Sequence, residues 1–152
     1  MKRVEVRLNL DAVAPLLDVI KGVADRLEPE LAIVPQVPEH DEELAGEWKA
    51  ELLAGQRSDL AVLLGLFDAE FFATGMIALD PENAEPVLRA TAALRLRLRA
   101  MHLAWLEDEK LESGDVALEG LTGERQRAFA AYVFLATLQE VVVHHLDPSA
   151  GD

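Results

Sequence analysis

An arginine stands where the longest helix-forming run of this chain should bury its side chains. From Asp80 to Leu106 the residues read as one helix, with Ala84, Val87, Leu88, Thr91, Leu94, Leu98, Met101 and Trp105 recurring on one side. At about 100° per residue those positions span an arc of about 140°, and Arg95 projects from within it. A guanidinium keeps its proton at any ordinary pH, so burying one demands a carboxylate or several carbonyl partners. The partners must come from another element, which ties this helix to one neighbour in one register. Glu47 and Glu51, one turn apart beside Trp48 on an earlier helix, are the nearest acids of suitable pattern. A Glu47–Arg95 ion pair of structural purpose is the expectation.

The chain has 152 residues, about half of them hydrophobic. That suits one domain able to bury roughly two-thirds of its unfolded surface. Residues 1–147 are expected to form it, with 148–152 a frayed tail. The formal charge of −14 opposes direct contact with nucleic acid or an anionic membrane, since neither counterion release nor long-range attraction would help. It suits solubility, or an acidic face that docks a protein partner or a second copy of the chain. Cysteine is absent, which excludes disulfides, thiolate catalysis and cysteine-based zinc sites. Charges at Lys2, Arg3, Glu5 and Arg7 fall where a signal peptide needs an apolar core. The uncharged apolar run Ala128–Leu138 is too short to span a bilayer. A soluble, cytoplasmic protein is expected.

Periodicity predicts a mainly α bundle of about five helices. Arg3–Leu8 alternates like a half-buried strand, and Gly75–Leu79 is its natural partner for a small β pair. Asp11–Leu27 reads as a helix whose regular part begins near Ala14, because Pro15 suits only a first turn. Prolines 29, 35 and 38 keep residues 30–39 extended. His40 or Asp41 caps a second helix carrying Leu44, Ala45, Trp48 and Leu52. Residues 55–58 suggest a break, although a glycine inside a continuous helix costs only about 1 kcal/mol. A third helix capped by Asp59 would carry Leu60, Leu63, Leu64, Phe67 and Phe71. Asp80-Pro81-Glu82 has the form of a helix start. Residues 107–123 read as an acidic loop. Thr122–His145 is apolar nearly all round and should be the most buried helix.

No constellation has a catalytic spacing. His102 shares the apolar arc with Arg95, but no other histidine is near it in sequence, so a satisfied core or boundary residue is the simpler reading. Glu140, His144 and His145 resemble half a metal site. The spacing is one residue too long for Glu-x-x-His and has no second copy, so histidines at a helix end explain them better. Arginines 89, 95, 97 and 99 scatter around their helix and suit neutralising neighbouring acids, not tracking phosphates. No nucleotide loop or metalloprotease motif occurs. No catalytic residues, metal or cofactor are expected.

Glu47-Trp48-Lys49, Leu94-Arg95-Leu96, and the run from Tyr132 through Leu135 and Leu138 to Gln139-Glu140 occur in an order and spacing that resemble the bacterial AosR family. The resemblance covers roughly residues 16–143. It implies a small helical cytoplasmic scaffold with Glu47, Trp48, Arg95, Tyr132, Gln139 and Glu140 as signature residues. Some actinobacterial members are described as oxidative-stress regulators that act on transcription through a partner, with cysteines as sensor. This chain lacks that sensor. The expected role is a non-enzymatic protein interaction or regulatory module. The alternative is an enzyme or small-ligand binder that uses an Arg95/His102/Glu47 cluster in an apolar pocket.

Overall fold

The computed structural model describes residues 2–33, 42–113 and 121–146. Strand β1 (Val4–Arg7) leads into helices α1 (Leu10–Arg26), α2 (Glu42–Gly65) and α3 (Ala69–Thr74). Strand β2 (Met76–Leu79) and helices α4 (Ala84–His102), α5 (Asp108–Ser113) and α6 (Gly123–Leu146) follow. The architecture is mainly α with a two-stranded antiparallel sheet, as periodicity predicts. The caps expected from His40 or Asp41, the prolines at 35 and 38, and the tail 148–152 lie outside the described residues.

β1 and β2 pair with Val4 opposite Leu79 and Val6 opposite Ile77. Ile77 and Leu79 are buried while Glu5 and Arg7 face solvent, the alternation expected of a sheet with one wet face. Gly75 joins this pair to α3. Its N–H donates to the Phe71 carbonyl at 2.7 Å, and its own carbonyl accepts from Leu8 at 2.8 Å. It sits at φ 75°, and a Cβ there would lie 2.8 Å from the Leu8 carbonyl oxygen, so only glycine fits without strain.

α4 is the central helix. It packs most extensively on α6 and next on α2, while α1 crosses α6 and α4. Ala84, Val87, Ala90, Thr91, Leu94 and Leu98 are buried along it, and the Thr91 hydroxyl is satisfied by donating to the Leu88 carbonyl. The helix is shorter than Asp80–Leu106. Asp80 makes a turn, its carboxylate accepting from the backbone of Glu82 and Asn83. Asn83 uses its amide on Asp80 and on the Ala78 carbonyl, so it adds no side-chain cap. At the far end the helix stops at His102 and the chain turns inward at Leu103 and Leu106, both buried. Met101 and Trp105 therefore lie largely outside the core instead of on the buried arc. Trp105 bonds the His102 carbonyl through its indole N–H and lies against the Arg125 guanidinium.

α1 begins at Leu10, earlier than Pro15 suggests, because Asn9 caps it by accepting from the Ala12 N–H. α2 runs unbroken through Gly55. Its two apolar stripes, Leu44/Trp48/Leu52 and Leu60/Leu63, are rotated about 90° from one another on a straight helix. In the unbroken α2 only one of them is covered by neighbouring helices. Leu60 and Leu63 enter the core, and Leu44, Trp48 and Leu52 are left exposed. The third helix is capped by Asp68, not Asp59, with the Asp68 carboxylate accepting from the Phe71 N–H. Residues 108–113 of the expected acidic loop are helical. α6 is long and apolar enough by length and composition to cross a membrane, yet it is not buried all round. Phe129, Tyr132, Leu135, Leu138 and Val142 face inward, while Val133 and Val143 stay exposed.

Candidate functional site: an arginine without an acid

Four arginines rise from α4, and three of them meet a carboxylate. Arg89 bonds both Asp59 oxygens, at 3.0 and 3.1 Å. That hydrogen bonding raises its pKa; partial burial opposes the rise, and the Asp59 and Glu85 charges add to it. Arg97 donates to Glu30 at 2.8 Å, and Arg99 pairs with Asp108. These pairs fit the expected neutralising role.

Arg95 differs. Its Nη1 donates to the Gln139 amide oxygen at 2.6 Å and its Nη2 to the Tyr132 hydroxyl at 3.0 Å. The guanidinium carbon lies 4.8 Å from the centre of the Tyr132 ring, close enough for a cation–π attraction. Its Nε–H is buried without an acceptor. Among the described residues no carboxylate forms an ion pair with it. The expected Glu47–Arg95 bond is therefore not made. Arg95 turns towards α6, whereas Glu47 is solvent-exposed on α2, which packs on another side of α4.

Of the residues singled out by sequence, Arg95, Tyr132, Gln139 and Glu140 come together. Arg95, Gln139 and Glu140 line one surface cavity of about 380 Å³ between α4 and α6, with Ala136, Val143 and His144. Tyr132 is buried beneath the guanidinium, which lies over its ring. Glu47 and Trp48 lie apart, on the open face of α2. His102 lines a different cavity, with Asp18, Val19 and Gly22 of α1, and its Nδ1 lies 3.8 Å from Glu124. The Arg95/His102/Glu47 cluster does not converge. His144 stacks edge-on against His145, and no group of three or more possible metal ligands occurs among the described residues.

Two features escaped sequence reasoning. Gln56 clamps the end of α1 to α2. Its amide oxygen accepts from Ala32, and its amide nitrogen donates to the carbonyls of Leu27 and Glu30. Arg57 adds a bond to the Glu28 carbonyl. Gln56 stands in the polar run Gly55-Gln56-Arg57-Ser58-Asp59, which gave no signal of a clamp. The second is an open apolar groove of about 530 Å³ between α2, α4 and the chain after α1, lined by Leu31, Ile33, Leu52, Ala93 and Leu96 among others. Leu52, which lines one wall, belongs to a stripe legible in the sequence, but the exposure of that stripe was not legible.

Four long helices, two short ones and a small antiparallel sheet, with an arginine held by a tyrosine and a glutamine at the α4–α6 seam, define a mainly α domain with no assembled catalytic set among the described residues. The chain belongs to a family described as a domain of unknown function (DUF2017), which matches residues 4–146. No curated protein and no solved structure matches it.

Proposed function

We propose that this domain is a non-enzymatic docking module whose α2–α4 groove takes an amphipathic helix with basic flanks from a protein partner. The observation that carries the reading is the exposed apolar surface there. Ile33, Leu96 and Leu52 line the groove and are 69 %, 46 % and 38 % exposed, and Trp48, one turn before Leu52 on α2, is 42 % exposed beyond its end. Clustered apolar exposure of this kind is the mark of an interaction site, whereas scattered exposure is ordinary, and an aromatic beside aliphatic walls suits a helix laid into a groove. Glu47 and Glu51 run along one flank of the stripe, are exposed, and form no ion pair among the described residues. They complement a basic helix. A second copy fits less well, because a twofold interface sets these acids near their own symmetry mates and each chain carries −14. The same surface suits a cytoplasmic regulator that works through a partner, as in the AosR-like reading, without thiol sensing because cysteine is absent.

The test uses a leucine/lysine amphipathic helical peptide and its leucine/glutamate counterpart, with tryptophan fluorescence as readout. The basic peptide should bind and shift the emission, and the acidic one should not. Leu52→Asp makes the protein more negative yet should weaken binding at least tenfold. Unchanged or tighter binding by Leu52→Asp means only diffuse charge attraction and sinks the reading. A concentration-dependent dimer in light scattering, dispersed by Leu52→Asp, would assign the face to a second copy instead.

A further inference from the structure

We propose that the cavity over Arg95 is a binding site for a carboxylate, with the Arg95 guanidinium as the group that recognises it. Among the α4 arginines, 89, 97 and 99 each have an acid within ion-pair distance, whereas the half-buried Arg95 has only neutral partners. A guanidinium has five N–H donors, and the protein uses two, on Gln139 and Tyr132. A partly desolvated cation left in this state favours an anion strongly, and its planar fork matches a carboxylate in two-point fashion. Tyr132 beneath and Gln139 beside it hold the fork in one orientation, so little freedom remains to be lost on binding.

The surroundings narrow the ligand. The cavity opens to the surface and is lined by the apolar Ala136 and Val143 as well as by Glu140 and His144. A single carboxylate with a short apolar body fits that lining. A doubly charged phosphate is disfavoured by the Glu140 carboxylate on the same wall and by the charge of −14 on the chain. The carboxylate could belong to a small free acid or to the C-terminus of a peptide, and both present the same group to Arg95.

The full chain is titrated with sodium propionate, sodium phosphate and sodium chloride at matched ionic strength, in buffer free of other carboxylates. The readout is the NMR resonance of the Arg95 Nε–H, assigned by its loss in Arg95→Lys. Propionate should move that resonance saturably, and phosphate and chloride should not. Val143→Trp, at an exposed position on the cavity wall, should keep the resonance and lose the response even if Arg95→Lys folds poorly. A short apolar peptide with a free C-terminus should act like propionate, and its C-terminal amide should be inert. Tighter binding of the peptide than of propionate identifies a chain terminus as the source, and equal or weaker binding identifies a small acid. Equal shifts from all three salts, an unaltered response in Val143→Trp, or an active peptide amide each overturn the assignment.

Discussion

Replacing Arg95 with methionine separates two accounts of the α4–α6 seam by size. In a buried ion pair, removing one partner strands the other charge and costs about 3–5 kcal/mol. Here the partners are neutral. The substitution removes two hydrogen bonds from a charged donor, each worth about 1.5–3 kcal/mol, and a cation–π contact of about 0.5–2 kcal/mol. It also removes a desolvation penalty of several kcal/mol for holding the cation away from water. Methionine keeps most of the apolar stem. Gln139 lines an open cavity, so water can replace its lost donor, whereas the Tyr132 hydroxyl lies on a side chain that is only 8 % exposed. The net loss should be about 1–2 kcal/mol, mostly from the stranded hydroxyl. Urea unfolding in carboxylate-free buffer measures it, with the slope unchanged and the midpoint lowered. In a double-mutant cycle Tyr132→Phe should recover part of the loss on the Arg95→Met background. A loss above about 4 kcal/mol would refute the neutral-partner account, because it would match a partner charge left buried and show no offset from the removed desolvation penalty.

Two glycines should respond in opposite directions. Gly55→Ala, inside α2 with nothing within 4 Å of its Cβ, should raise stability by about 0.5–1 kcal/mol in thermal unfolding. Gly75→Ala, at φ 75° and 2.8 Å from the Leu8 carbonyl oxygen, should lose about 1–3 kcal/mol. Gln56→Leu should cost about 2–3 kcal/mol by leaving Ala32, Leu27 and Glu30 without their side-chain partner. Faster hydrogen exchange at the Ala32 amide would place the damage at that clamp.

The local rules written into this chain decide its class. Apolar spacing gives the long helices. The alternation of β1 and the short apolar run of β2 give the strand pair, and the absence of cysteine removes thiol chemistry. The run Leu94-Arg95-Leu96 and the segment from Tyr132 to Glu140 already mark the seam that the fold closes. Partners and exposure were not legible, because they depend on which helices meet. Glu47 and Gln139 are both suitable acceptors for Arg95 by residue type, and only the α4–α6 packing selects Gln139. Trp48 has the spacing of a core residue, yet no neighbouring element covers its stripe, which lies about 90° round α2 from Leu60 and Leu63. The continuity of α2 through Gly55 is a tertiary outcome, since the local cost of about 1 kcal/mol is small beside the packing of Leu60 and Leu63. Periodicity is a property of one helix and is readable from its residues, whereas the environment of each face belongs to the neighbour that covers it or leaves it open.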